Sequence, residues 1–288
     1  MSEQSTWHRL LRMPLFVIPF ILVLVFCVMA VAPQWFAGWF GHGDPHSCNL
    51  ADNHLSLGSG LGLSAGHPFG FDPQGCDLYA NVVYGTRNSL SIGLLATAIT
   101  VVVGLVLGSV AGYFGKAIDA VVSRVMDVFF GFPLLVGMIV VLNTFTVHSV
   151  FTVSLVLALF SWPQMARIMR SSVLETRNLE YITAARELGA GSTRILIHHI
   201  LPNSIMPLAA LTTLNVGGVI TAESALTFLG VGLQVPSISW GVQLNNAQQY
   251  FTINVNLLIF PALFLTVAVL AFVLLGDCLR DVLDPKLR

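Results

Sequence analysis

The feature that most constrains this chain is a series of apolar segments, each close to the length of a helix that crosses a bilayer. About 20 apolar residues are needed for a helix to cover the hydrocarbon core. The segments that meet this requirement are residues 14–35, 89–113, 125–143, 149–167, 204–226 and 256–276. The sequence therefore predicts an all-α membrane protein with six transmembrane helices.

The composition supports lipid as the solvent of much of the chain. Only 9% of the 288 residues are charged and 55% are hydrophobic, whereas soluble domains carry about 25% charged residues. The formal net charge of −1 argues against a nucleic-acid partner. The cysteines are too few and too scattered for a disulfide-rich scaffold or a zinc motif; they are Cys27, Cys48, Cys76 and Cys278.

The first apolar run has two interpretations. Arg9 and Arg12 precede it, and residues 30–32 resemble a cleavage site, as in a cleaved signal peptide. The run from Leu15 to Ala32 is long for a signal peptide and long enough to span. We therefore expect an uncleaved first span.

Basic residues outside the spans predict the orientation. With six spans, one side of the membrane carries every basic residue except Arg87, which lies at the start of span two. The residues on that side are Arg9, Arg12, Lys116, Arg124, Arg167, Arg170, Arg177, Arg186, Arg194, Arg280, Lys286 and Arg288. The positive-inside rule makes this side cytoplasmic, with both termini on it.

Two segments outside the spans stand out, and the first of them, the outer loop, is too long to be a simple connector, so we expect it to be functional or packed against a partner. The outer loop covers residues 36–88, and the inner segment covers residues 168–203. We divide the chain into residues 1–88, with the N-terminal tail, the first span and the outer loop, and residues 89–288. The second part is a five-helix core that includes the inner segment.

Local rules predict two short helices in the inner segment. Residues 179–188 favour a helix, and Gly189 is placed to end it in a left-handed turn. Ser192 or Thr193 can cap the second helix, and Pro202 is expected to end it. An ordinary loop on the membrane surface is the alternative.

The inner segment resembles the EAA loop of bacterial ABC importer permeases, which has the pattern EAA-x3-G-x9-I-x-LP. Thr183 stands at the Glu position and His199 at the Ile position, and Glu180 is our candidate for the missing carboxylate. The resemblance implies a coupling helix that docks on an ATP-binding subunit. The residues it assigns to this contact are Glu180, Thr183, Ala184, Ala185, Glu187, Gly189, Leu201 and Pro202.

Other segments are similar to the second, C-type permease of dipeptide, oligopeptide and nickel importers. These segments are residues 67–77, 84–90, 132–135, 222–232, 236, 239–241 and 276–288. Their order and spacing hold over three quarters of the chain. The resemblance implies a type I ABC importer permease fold in a bacterial cytoplasmic membrane.

The same resemblance implies a set of partners. They are a homologous second permease, two ATP-binding subunits, an extracytoplasmic substrate-binding protein and the lipid bilayer. Di- or oligopeptides are the expected substrates, with nickel complexes or other small solutes as the alternative. ATP and Mg²⁺ are expected on the partner subunits, so we expect no cofactor and no enzymatic activity in this chain.

The resemblance also draws attention to Cys76, which stands where the family usually has a basic residue. Cys48 lies in the same outer loop. If that loop faces an oxidising exterior, the two can form a disulfide. Two unpaired thiols are the alternative.

Glu223 is the clearest ionisable residue in or near a span. Because an unpaired carboxylate is costly in hydrocarbon, such groups face a cavity or a partner. We expect it near the outer end of span five, where it either lines the pathway or, as we favour, binds a backbone group of residues 224–236. Phe132 and Pro133 in span three are candidate pathway or structural residues, and we expect apolar gates from spans three and five.

We find no motif for metal binding or catalysis. The loop histidines lack the tight spacing of a preformed metal site; they are His42, His46, His54 and His67. Gly115-Lys116 is not a phosphate loop, because the required upstream glycine is missing. A secondary transporter or channel is the rival class, but it would need an ion relay or an inverted repeat.

Overall fold

The computed structural model describes residues 14–50, 66–250 and 252–283, and its regular structure within those ranges is helical. The helices are α1 (Pro14–Val31), α2 (Pro33–Ala37), α3 (Leu78–Phe114), α4 (Lys116–Gly131), α5 (Leu134–Leu142), α6 (Val150–Thr176), α7 (Glu180–Glu187), α8 (Ser192–Ser204), α9 (Met206–Phe228), α10 (Trp240–Ala247) and α11 (Asn256–Leu283). The β-pairing in these ranges consists of isolated bridges between Cys48 and Cys76 and between Phe71 and Asp77. The all-α prediction is confirmed.

Four helices are long and apolar enough to cross a membrane unbroken, namely α1, α3, α6 and α11. Two further candidates are bent pairs, with an angle of 92° between α4 and α5 and of 58° between α8 and α9. The six predicted spans therefore correspond to four unbroken helices and two broken ones, if each bent pair is counted as one span.

Helix α3 begins earlier than predicted. We placed the start of span two at residue 89, but the helix runs for 37 residues from Leu78. The Asp77 carboxylate caps it by accepting the N–H groups of Tyr79 at 2.9 Å and Ala80 at 3.5 Å. Polar residues within 78–88 conceal this part of the helix from the hydropathy pattern. The boundary drawn between residues 88 and 89 consequently lies inside one helix.

The third predicted span, residues 125–143, is broken where Phe132 precedes Pro133. Phe132 is extended, with φ −89° and ψ 139°, as a residue before proline prefers. Helix α4 starts at Lys116, upstream of the prediction. Helix α5 has 9 residues, which is about half of what a lone spanning helix requires.

Helices α3 and α6 form the most extensive contact of the described fold. Gly104, Gly108 and Gly112 recur at every fourth position of α3 and allow the two backbones to approach closely. A Cβ atom at Gly104 would lie 2.5 Å from the Cβ of Met165, and one at Gly108 would lie 2.5 Å from the carbonyl oxygen of Ala166. Small residues at this spacing are a common basis of helix packing in membranes, and the spacing is visible in the sequence.

Several span ends also differ from the prediction. Helices α6 and α11 continue to Thr176 and Leu283, several residues later than predicted. Helix α1 ends at Val31 instead of residue 35. Arg87 donates hydrogen bonds to the carbonyl oxygens of Ala30 at 3.0 Å and Val31 at 2.8 Å. These bonds satisfy acceptors that the end of a helix leaves unpaired.

The described fold has two ends. Each end is identified by contacts between residues that are distant in the sequence. At the basic end, Arg177 donates to the carbonyl oxygen of Gly112 at 2.7 Å, and the Cys278 thiol lies 3.1 Å from the carbonyl oxygen of Leu15. The loop end carries residues 32–50 and 66–77, the start of α3 and helix α10. The described basic residues follow the predicted segregation, with Arg87 alone at the loop end. Arg9, Arg12, Lys286 and Arg288 lie outside the described residues.

Candidate functional site

Helices α7 and α8 are the pair of short helices predicted for the inner segment. Helix α7 ends in a Schellman turn, in which the Ala190 N–H donates to Ala185 at 3.1 Å and the Gly189 N–H donates to Arg186 at 3.0 Å. Gly189 has φ +82°, in the left-handed region that favours glycine. The predicted left-handed stop at Gly189 is therefore present.

Helix α7 rests on an apolar cluster at the basic end. Its one buried residue is Ile182, which belongs to the same buried cluster as Val173 of α6, Ile195 of α8 and Leu208 of α9. Because three helices contribute to this cluster, α7 is held against the parts of the fold that lead into the membrane.

The other side chains of α7 are exposed or half-buried. Glu180, Thr183, Ala184 and Glu187 are exposed, while Ala185 is half-buried. Tyr181 and Leu188 are 44% and 89% exposed, and their spacing of seven residues places them on one helix face. Neither of these two large side chains was predicted to lie at the contact, although their spacing can be read from the sequence. Leu201 and Pro202 lie on α8, and Leu201 is half-buried.

Helix α8 differs from the prediction at both ends. Its N-cap residue is Gly191, not Ser192 or Thr193, and no side chain caps it. Pro202 does not end it, because the helix continues to Ser204. Residues 195–200 form a π-helical turn just before the proline. This wider turn displaces the carbonyl that a proline ring would otherwise contact in a regular α-helix.

Hydrogen bonds fasten the end of α8 to α6. The Ser204 hydroxyl donates to the hydroxyl of Thr176 at 2.9 Å, and the Ser172 hydroxyl donates to the carbonyl oxygen of Ser204 at 2.9 Å. Arg170 of α6 in turn donates to the carboxylate of Asp119 on α4, with Nη2 2.7 Å from Oδ2. A displacement of α7 and α8 would therefore act on α4, α6 and α9 together.

Glu223 lies toward the loop end of α9, as predicted, and its side chain is fully buried. Its carboxylate accepts hydrogen bonds from hydroxyl groups of Thr227 at 2.9 Å, Ser224 at 3.1 Å and Ser239 at 3.4 Å. The contact with backbone groups is indirect, because the Thr227 and Ser239 hydroxyls accept the N–H groups of Leu233 and Val242. Glu223 thus joins α9, residues 229–239 and the start of α10.

Phe132 and Pro133 have different surroundings. Phe132 is 60% exposed and lines a concave apolar surface of about 370 Å³ on α4, α5 and α6, together with Val136, Val140 and Phe160. Pro133 does not line that surface but precedes the first residue of α5. The two residues therefore have different roles. Phe132 forms part of an exposed apolar surface, and Pro133 marks the start of α5.

The loop end holds the cysteine pair. Cys48 and Cys76 are joined by a disulfide with an S–S distance of 2.00 Å, which is the pairing that the sequence left open. The Asp72 carboxylate accepts the N–H groups of Gln74 and Cys76, each at 2.8 Å. Burial raises the pKa of the Asp72 carboxyl, while these N–H donors act in the opposite direction.

Asp77 is an important residue that our sequence analysis did not select. Besides capping α3, its Oδ2 accepts the backbone N–H of His42 at 3.0 Å and lies 3.0 Å from Nδ1 of His67. Within the described ranges no three His, Cys, Asp or Glu side chains form a group suited to a metal. His54 lies outside them. Asp77 instead closes the loop onto the start of α3.

These features define a class: a polytopic helical membrane subunit with two broken spans, which presents a short exposed helix pair at one end. The chain belongs to the family described as binding-protein-dependent transport system inner membrane component, whose sequence profile matches residues 104–288.

Relatives match nearly the whole chain. The dipeptide transport system permease protein DppC of Bacillus subtilis (strain 168) is 36% identical over 99% of this chain and 86% of its own length. The glutathione transport system permease protein GsiD of Pectobacterium atrosepticum is 34% identical over 98% of this chain and 90% of its own. The resemblance to peptide importer permeases is confirmed.

A solved structure has the same fold. A chain of the MetNI methionine ABC transporter, determined in inward-facing conformations, matches with a TM-score of 0.57 at 19% identity. The match covers 70% of this chain and 96% of that chain. At this identity the likeness bears on the fold alone, and it confirms the predicted type I ABC importer permease fold.

Proposed function

We propose that the chain is the permease subunit of an ATP-driven importer that carries di- or oligopeptides across a bacterial cytoplasmic membrane. Relatives that are permeases of dipeptide and glutathione transport systems support this substrate class. The basic end faces the cytoplasm in this proposal, because basic residues accumulate on that side of membrane proteins.

The exposed surface of α7 carries the proposal. A helix of 8 residues with one buried side chain is too short to be stable alone, yet its outer face leaves Tyr181 44% and Leu188 89% exposed. Such a face suits a cleft in an ATP-binding subunit, with Ala184 permitting close approach. The ATP and Mg²⁺ of the reaction bind that partner.

The anchors of α7 explain how motion would reach the membrane. Ile182 fixes the helix on α6, α8 and α9, and Ser204 fastens α8 to α6. When the ATP-binding subunits close, the helix pair moves as a lever and re-orients the bent spans. Packed helices respond by switching between discrete arrangements, as alternating access requires.

A second, homologous permease completes the pathway in this proposal. The concave surface around Phe132, Val136 and Phe160 is apolar and lies on the broken span α4–α5. A matching surface on the second permease would enclose a conduit gated by apolar side chains, and an extracytoplasmic binding protein would deliver the peptide at the loop end. Glu223 has a structural role in this arrangement.

Peptide uptake by the full complex in liposomes tests the proposal. Leu188→Asp places a charge on the docking face. It should lower co-purification of the ATP-binding subunit and ATP-dependent uptake at least about tenfold, because a buried unpaired charge costs more than ~1.4 kcal/mol. Leu50→Asp makes the same change at a 76% exposed position of the loop end and should leave co-purification unchanged.

A pair of glycine variants tests the shape of α7 separately. Gly189→Ala forces a side chain into the left-handed region at about 1–2 kcal/mol, and it should reduce the coupling of ATP hydrolysis to uptake. Gly191→Ala should leave this coupling unchanged, because φ at Gly191 is −66°.

Uptake that persists without any ATP-binding subunit would refute the importer proposal and favour a secondary transporter.

A further inference from the structure

An exposed aromatic pair follows the first span. Trp35 and Trp39 are each 66% exposed. Helix α2 ends at Ala37, but helical hydrogen bonding continues to Gly38, whose N–H donates to Gln34 at 3.2 Å. Residues four apart on such a backbone share a face, so both indole rings lie on one side of α2.

The opposite side of α2 makes the contacts with the protein. Phe36 and Ala37 pack in one cluster with Ala80 and Val83 of α3. The Tyr79 hydroxyl donates to the carbonyl oxygen of Phe36 at 2.9 Å. The position of α2 is therefore set by this inner side. The Trp39 ring also contacts the Phe36 ring, with 5.0 Å between centroids, and both tryptophans remain about two-thirds exposed.

The depth of Trp35 and Trp39 in the membrane can be inferred from the position at which α1 ends. Trp35 comes four residues after Val31, the last residue of α1, and its N–H donates to the carbonyl oxygen of Ala32 at 3.2 Å, so the pair lies close to that end. Arg87 binds the last carbonyl groups of α1 at the same level. Residues 41–44, which follow, are Gly, His, Gly and Asp. The change from apolar to polar chain thus falls at the tryptophans.

We propose that Trp35 and Trp39 are seated in the lipid headgroup layer of the leaflet at the loop end and anchor α2 there. Tryptophan is favoured at this depth because its ring is apolar and its N–H is polar. Through Phe36 and Tyr79, the anchor holds the start of α3 at a fixed height in the membrane.

A lipid surface fits this face better than a protein partner. The face continues directly from α1, whose exposed side carries large apolar residues such as Leu24 and Val28. Residues 31–40 contain no charged side chain that could steer or orient a soluble protein. The proposal concerns the bilayer contact and does not depend on which substrate is transported.

Tryptophan fluorescence of the full complex in vesicles tests the proposal. The vesicles contain phosphatidylcholine with a spin label on the headgroup, or phosphatidylcholine brominated deep in the acyl chains. The double variant Trp35→Phe/Trp39→Phe should lower the headgroup-quenched part of the emission at least about twofold, because interfacial tryptophans lie at headgroup depth. The fraction quenched by the deep bromines should be unchanged.

Trp162→Phe is the matched control, because this ring is buried between helices at 6% exposure. It should leave the headgroup-quenched emission unaltered. If the double variant assembles poorly, the single variants Trp35→Phe and Trp39→Phe are compared instead.

Two outcomes would overturn the proposal. In one, the emission lost in the double variant is quenched by aqueous iodide and not by the headgroup label, so the face borders water. In the other, addition of the substrate-binding protein removes the headgroup quenching, so the face is a protein contact. Selective headgroup quenching that survives addition of that protein supports the anchor.

Discussion

At the scale of single residues, two buried carboxylates organise the loop end. Asp77 accepts backbone N–H groups at the start of α3, and Glu223 accepts hydroxyl donors from α9 and from the residue that precedes α10. Among the described residues neither forms an ion pair with Lys or Arg. A carboxylate that is buried in this way is stable only while its donors remain in place. Each therefore fixes several segments relative to one another.

Removal of the Glu223 carboxylate should loosen the loop end. Glu223→Ala leaves three hydroxyl groups without their acceptor, and we expect a loss of about 1–3 kcal/mol. Glu223→Gln keeps one acceptor oxygen and should lose less. The unfolding midpoint in detergent micelles measures the difference. Glu175→Ala, at an exposed position near the end of α6, is the control, and equal stability of all four proteins would refute the structural role.

At the scale of helices, close approach and local breaks decide the arrangement. The glycines of α3 bring its backbone against α6, so these two helices form the centre of the fold. The break at residues 132–133 and the bend between α8 and α9 produce the two broken spans. Non-helical backbone at membrane depth is tolerated only where protein or a cavity surrounds it, and the proposed second permease would supply such surroundings.

Substitution of one glycine should distinguish the packed face from an open one. Gly108→Ala places a methyl group 2.5 Å from the Ala166 carbonyl oxygen, and overpacking of this kind costs about 1–3 kcal/mol. Gly218→Ala on α9 meets nothing within 4 Å and should be neutral or stabilising by up to about 1 kcal/mol, since alanine favours helix. Unfolding midpoints compare the two. Equal effects would contradict the close contact of α3 and α6.

At the scale of the whole molecule, charge segregation accompanies the helical arrangement. The described arginines and lysines other than Arg87 lie at the basic end, together with α7 and α8. The disulfide Cys48–Cys76 lies at the opposite end, as an oxidising exterior would permit. Both observations favour the same orientation, with the helix pair in the cytoplasm.

Thiol labelling tests this orientation. In a background with Cys27→Ser and Cys278→Ser, we introduce Ser192→Cys at the basic end or Asn246→Cys at the loop end, both exposed positions. A membrane-impermeant maleimide should label Asn246→Cys in intact cells and Ser192→Cys only after permeabilisation, because positive charge is retained inside. The reverse pattern would invert the proposed topology.

From the amino-acid sequence we could predict the membrane class, the approximate spans, the left-handed stop at Gly189 and the family. These follow from hydropathy, local backbone preference and motif spacing, which are properties of neighbouring residues. Motif spacing also predicted most of the exposed residues of α7. Tyr181 and Leu188 were missed because their spacing shows that they share a helix face but not whether the fold buries that face.

Other features depend on residues far apart in the chain and became visible only in the three-dimensional fold. Ser239, one of the three hydroxyl donors of Glu223, comes from beyond α9, and Asp77 binds His42 and His67 in addition to its local N–H donors. The carbonyl oxygens at the end of α1 are paired by Arg87, more than fifty residues later. No local pattern encodes such pairs, because the energy of a buried polar group depends on which partner the fold brings within hydrogen-bond distance.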